Sequence, residues 1–152
     1  MRSAIGILFA AGMLTWATAC GGGASAVPIE SGQPCAYCRM TIADVHLGAE
    51  VVAPGEEPRF YDDIGCLAHD LEKRAVPEGG RVFVADYQTG AMVPGETAVY
   101  SRVESIATPM MSHYVAHAGE SARQSDARVR GGSIHTADEV FGSGRLGERH
   151  GR

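Results

Sequence analysis

Gly79-Gly80-Arg81-Val82-Phe83-Val84-Ala85-Asp86 returns 52 positions later as Gly131-Gly132-Ser133-Ile134-His135-Thr136-Ala137-Asp138. Both stretches read Gly-Gly-x-(Val/Ile)-x-x-Ala-Asp. Each follows a predicted helix with a glycine turn and opens a strand. A repeat of this length suggests two copies of one small unit; two Gly-Gly turns arising by chance are the alternative. Before the first copy, Leu47–Ala53 reads as a strand closed by the turn Pro54-Gly55, and Arg59-Phe60-Tyr61 as a second short strand. Asp62 or Asp63 then caps a helix, because a carboxylate satisfies the free N–H groups of a first turn. Ile64, Leu67, Ala68 and Leu71 follow at helical spacing, which predicts an amphipathic helix over 63–75. Pro77 and Gly79-Gly80 stop it, and Val82–Ala85 is a strand by its β-branched and aromatic content. The order is ββαβ. Before the second copy come a strand at Ala98–Val103, a strand around His113–Ala116 and a weaker helix over Gly119–Arg130, with Ala118, Ala122, Ser125 and Val129 as its inner face. The predicted fold is α+β, a tandem pair of ββαβ units over 35–90 and 91–141.

The ends of the chain read differently. Arg2 precedes an almost wholly apolar or small stretch, Ala4–Ala19, which is too short to span a bilayer and has the layout of an export signal. It runs through Ala17-Thr18-Ala19 into Cys20, resembling a bacterial lipoprotein signal in which that cysteine becomes the lipidated N-terminus. An ordinary cleaved signal is the alternative. Residues 1–19 are thus the expected signal peptide. Residues 20–34 are the lipidated cysteine and a tether, Gly-rich at its start, and 142–152 a disordered tail. With Gly21 after Cys20 there is no obvious inner-membrane retention signal. The expected location is extracytoplasmic: the outer membrane facing the periplasm, or the outer face of the plasma membrane in a single-membrane cell. Net charge is −5, which argues against nucleic acid, since that partner requires a basic face.

Four cysteines are present: Cys20, Cys35, Cys38 and Cys66. With Cys20 lipidated, three thiols remain and cannot all pair internally, so at least one is free or metal-bound. Cys35-Ala36-Tyr37-Cys38-Arg39-Met40 gathers two thiols and a thioether in six residues. Thiolate with thioether is a soft ligand set that selects Cu(I) over magnesium, calcium or manganese. Zinc takes Cys, His and carboxylate rather than thioether. A carrier of Cu(I) needs tight binding with an open face, so that a recipient's ligands can replace its own in steps.

Cys38-Arg39-Met40, Phe60-Tyr61-Asp62-Asp63-Ile64-Gly65-Cys66-Leu67, Tyr100, Pro109-Met110 and the closing Gly-Gly strand resemble the NosL family, lipoproteins viewed as copper chaperones of nitrous oxide reductase. The resemblance spans Cys20 to about Phe141. It implies two homologous ββαβ units, a fold similar to part of the organomercurial lyases, one Cu(I) per chain and no catalytic activity. It also implies partners: an exported copper enzyme, nitrous oxide reductase by analogy, and an upstream copper donor. Carried over by position, Cys38 is the thiolate ligand, Met40 and Met110 are thioether ligands, and Cys35 belongs to the CxxCxM variant of the motif. Arg39 stands where Gly is common. Met111 and His113 depart from a Gly-rich pattern, so either is a candidate to complete the site.

Other readings of these residues are simpler. Met40, Met110 and Met111 can fill core gaps. His113 and His117 read as surface or core histidines, and Cys66, near the start of its helix, as a packed thiol. Two further functions compete. One is a thiol enzyme, either a disulfide oxidoreductase using Cys35 and Cys38 or a lyase. The linker at Pro34 argues against the first, and the absence of a clear proton donor near the thiols against the second. The other is a zinc module using Cys35, Cys38, Cys66 and a histidine. It is the least favoured, since Cys66 lies 28 residues beyond Cys38. A c-type haem is excluded, because Arg39 and not His follows the CxxC.

Overall fold

The structure is a computed structural model describing residues 23–146; the signal segment, Cys20 and the last six residues lie outside the described residues. The chain is mixed α+β, with two small antiparallel sheets and short helices. Strands β1 (Ala49–Val52), β2 (Arg59–Tyr61), β3 (Arg81–Ala85) and β4 (Met92–Pro94) form one sheet in the order β2-β1-β3-β4. Strands β5 (Val99–Arg102), β6 (Tyr114–His117) and β7 (Ser133–His135) form the other in the order β6-β5-β7. Helix α1 (Ile64–Leu71) follows β2, α2 (Glu120–Ser125) follows β6, and α3 (Ala137–Phe141) ends the fold. Among the described residues no helix is long and apolar enough to cross a membrane.

Strand alternation places the core. Ala49 and Val51 on β1, with Val82 and Val84 on β3, point to one face of the first sheet, where Ile64, Leu67 and Leu71 of α1 pack on them. Tyr100 and Ala116 of the second sheet join the same cluster, and Phe141 of α3 meets the Tyr100 ring edge-on at 5.4 Å. The sheets are therefore seated on a shared core. They are also joined at the Asp86–Ala116 bridge, where Tyr87 N–H donates to Ala116 C=O and Ala118 N–H donates to Asp86 Oδ2. On the opposite face of β1, Glu50 is fully buried and accepts the Val27 N–H. The 27–34 segment thus lies on the body, with Ile29 over Gly48 and Gly32 N–H bonded to Ile42 C=O.

The two Gly-Gly turns have the same geometry. Gly79 and Gly131 adopt left-handed φ of +68° and +82°, a region glycine enters without steric cost. A Cβ on Gly80 would lie 3.1 Å from Ala53 Cβ, and one on Gly132 would lie 2.6 Å from Val103 Cγ2. Each second glycine is thus held against the residue just after a central strand. A further match lies inside. Tyr61, ending β2, donates to Asp70 at 2.6 Å, and His117, ending β6, lies 3.2 Å from Asp126. Both rings are fully buried.

Two expectations need correction. The helix expected over Gly119–Arg130 breaks at Asp126, whose carboxylate turns inward to His117 and Arg128 and caps a separate 3-10 turn, Ala127–Val129. Of its expected inner face only Val129 is buried; Ala118 and Ser125 are exposed. Leu47 belongs to a 3-10 turn before β1 and not to the strand. At the other end, Gly142–Leu146 turn back and Leu146 packs against the core.

Candidate metal centre

The Cys35–Met40 segment is a tight loop closed at its base. Pro34 pairs with Thr41, Cys35 N–H donates to Met40 C=O at 2.8 Å and Arg39 N–H to Cys35 C=O at 3.1 Å. Arg39 sits at φ +67°, the conformation in which Gly would be free of strain. A bond from Ala36 N–H to Phe60 C=O fixes the loop to β2. Tyr37 stacks on His69 of α1 at 5.6 Å, with Lys73 Nζ 5.0 Å from the centre of its ring.

Under this loop comes the corner between β2 and α1. Asp63 caps α1, accepting the Gly65 N–H. Asp62 faces the loop and accepts the Cys38 thiol, with S···O distances of 3.5 and 3.4 Å. Cys66, on the first turn of α1, lies beneath. The sulfurs of Cys35, Cys38 and Cys66 and an Asp62 oxygen all lie within 4.8 Å of one another. Cys35, Cys66 and Asp62 are buried, whereas Cys38 is half-buried and opens to the surface.

The thiols are not equivalent. The hydrogen bond from Cys66 draws the Cys35 thiol down to about 6, and the same bond, together with burial, pushes Cys66 up. Cys35 therefore carries the charge of that pair. Burial pushes Cys38 up to about 11. Three sulfurs and a carboxylate at this spacing can enclose a single ion: three thiolates suit a soft cation at low coordination number, and the carboxylate can complete a tetrahedron.

Of the four residues singled out from sequence, Cys35 and Cys38 enter the cluster. Met40 stands on the same loop, exposed. Met110 is on the β5–β6 loop, also exposed, and its N–H donates to Asp63 Oδ2 at 2.8 Å, so the second half of the chain reaches the edge of the site. Met40, Met110 and Met111 are three of the four large apolar side chains exposed among the described residues. They are not core filler. His113 bonds Ile106 C=O and His117 pairs with Asp126; among the described residues no histidine belongs to the cluster.

Of the four cluster residues, Cys66 enters only the zinc reading of the sequence, and Asp62 enters none. Cys66 is packed, as expected, but packed against Cys35. Asp62 places a carboxylate beside the thiols, accepting from Cys38, that the sequence had not disclosed. The three cysteines of the zinc reading do converge, with Asp62 in place of a histidine. Comparison with known protein families, characterised proteins and solved structures finds no match to this chain.

Proposed function

We propose that this chain is a Cu(I)-binding metallochaperone of NosL type, anchored to a membrane through Cys20 and delivering copper to an exported copper enzyme, nitrous oxide reductase by analogy. One observation carries the reading: a three-thiol cluster with one half-open member, Cys38, on the same loop as an exposed thioether, Met40. Exposing three methionine side chains costs hydrophobic free energy, and the cost is understandable if thioethers must meet a soft ion arriving from outside. Cys35 and Cys66 would hold the ion from below. Cys38 and Met40 would be its exchangeable ligands, and Met110 would approach from the other half. We further propose that the halves are tandem ββαβ units. The matching strand orders, the two equivalent Gly-Gly turns and the paired Tyr61–Asp70 and His117–Asp126 contacts support this.

The test is an anaerobic Cu(I) titration of a chain beginning at Gly21 against a competing chelator, beside Cys38→Ala, Met40→Ala and Met110→Ala. The chaperone reading expects one equivalent bound tightly and weakened in each variant. Absence of tight Cu(I) binding in fully reduced protein would sink it.

A second reading is a thiol enzyme, favoured by Asp62 standing on Cys38 next to the low-pKa Cys35. It expects turnover of a thiol substrate that ignores Met40→Ala and fails with Asp62→Asn. A zinc module expects chelation of zinc to unfold the chain.

A further inference from the structure

Asp63 has more donors than a helix cap needs. Its Oδ1 accepts the Gly65 N–H and the Ser112 hydroxyl, each at 2.5 Å, and its Oδ2 accepts the Met110 N–H at 2.8 Å. The carboxylate is fully buried. Two of its three partners come from the β5–β6 loop, 47 and 49 positions away in the chain. The loop also sits close on the helix: a Cβ on Gly65 would lie 2.7 Å from Ser112 Cβ. Glycine at position 65 is what lets the two approach.

The loop so held is bent in an unusual way. Met111 and His113 both take left-handed φ, +56° and +62°, costly for residues with a Cβ. Thr108 braces the bend, its C=O accepting the Met111 N–H and its hydroxyl the His113 N–H. Strain of this kind persists only where surrounding contacts over-determine it. The remaining non-glycine residue with positive φ among those described is Arg39, between Cys38 and Met40. All three strained residues therefore lie in the two methionine-bearing loops.

We infer that Asp63 is the positioning residue of the copper site, a clamp that joins the Met110 loop to the helix carrying Cys66 and so makes one ligand field from both halves of the chain. The inference rests on the chaperone reading above and adds to it. Asp63 does not touch the ion. One oxygen is committed to the cap and to Ser112, and the other to the backbone of Met110. Its neighbour Asp62 faces the thiols instead.

Asp63→Asn separates clamping from capping. Asn caps a helix about as well as Asp, yet it has one oxygen where the loop and the helix require two. Gly65→Ala is the second variant: it keeps Asp63 and favours helix, but its methyl pushes Ser112 away. Both are compared with wild type by Cu(I) competition titration, each with and without Met110→Ala. Amide hydrogen exchange at Met110 in the metal-free protein is read in parallel. Met110→Ala is expected to weaken Cu(I) about tenfold in wild type and by less than about twofold in either clamp variant. The Met110 amide, protected in wild type, is expected to exchange fast in both, with far-UV circular dichroism unchanged. Equal Met110→Ala losses in all three backgrounds would overturn the inference, as would an amide that stays protected in both variants. If wild type binds no Cu(I) tightly, the chaperone reading falls and the positioning role falls with it. If wild type binds tightly and the losses are equal, only the clamp is wrong.

Discussion

Glu50 is fully enclosed on the central strand of the first sheet, opposed across the strands by Phe60 and Phe83. One oxygen accepts the Val27 N–H and the other has no partner. Burial pushes its carboxyl from 4.5 up to about 7. The sign follows from linkage. The unfolded chain ionises Glu50 at lower pH than the folded chain does, so the group favours folding below pH 4.5 and that advantage is lost as pH rises through 7. Between pH 5 and pH 8 the accumulated penalty is ~2 kcal/mol, taking about 1.4 kcal/mol per unit. Glu50→Gln removes the ionisation and keeps the shape and the Val27 acceptor. Its amide nitrogen is a constant cost that does not change with pH. The variant should therefore gain ~2 kcal/mol on wild type between pH 5 and pH 8, measured by urea unfolding of a chain starting at Gly21. A chain starting at Val27 would place an ammonium against Glu50 and erase the effect. A stability difference that stays constant across this pH range would mean that folding does not raise the Glu50 carboxyl.

Cys66→Ala should lower metal affinity by at least tenfold, about 1.4 kcal/mol, in competition titration, whereas a thiol that is merely packed would leave affinity unchanged. Arg128 beside Asp126 holds that carboxyl well below its ordinary value of 3.8, first through its side-chain hydrogen bonds. The resulting stability is present above pH 3.8 and lost as pH falls below it. Asp126→Asn should therefore destabilise by about 1–2 kcal/mol at pH 7, discounted because the Arg128 side chain is half exposed, and should flatten the acid limb of the unfolding curve. Gly132→Ala would place a methyl 2.6 Å from Val103 Cγ2 and 2.9 Å from Arg102 C=O; a loss of about 2 kcal/mol in thermal unfolding is expected.

The strands and α1 were legible because local signals agreed: alternating burial, Asp at the cap, glycine at the turns. The second helix was not. Its four small residues kept helical spacing, but Asp126 had a stronger claim on it, a buried ring at His117 that only the folded sheet supplies. Helix α3 has a local signal of its own in the sequence. Thr136-Ala137-Asp138-Glu139 is a capping box, with Thr136 and Glu139 bonded reciprocally. The repeat hides it, because Ala137-Asp138 aligns with Ala85-Asp86 at the end of β3. Strand β4 is three residues held by pairing with β3, a contact with no local sequence mark.

The site divides along the same line. Cys35 and Cys38 share a loop, so their nearness is written in their spacing. Cys66 and Asp62 meet them only through the β2–α1 corner. Adjacent residues of an extended chain point to opposite sides, and Asp63 is extended, at φ −154° and ψ 139°. Once Asp63 turns to the N–H groups of α1 and the Met110 loop, Asp62 must turn away from them. The side left to it is the one on which the cysteine loop is tied to β2 by Ala36 and Phe60. Two like carboxylates, interchangeable in the sequence, are thus assigned different work by one backbone conformation. Asp63 faces the junction of the two halves and Asp62 faces the thiols. The burial pattern then orders the three thiols by access. An incoming thiol or thioether can reach Cys38 without opening the core, but cannot reach Cys35 or Cys66 that way. In the proposed carrier, release of an ion would therefore begin at Cys38, where Asp62 already stands to hold the thiol.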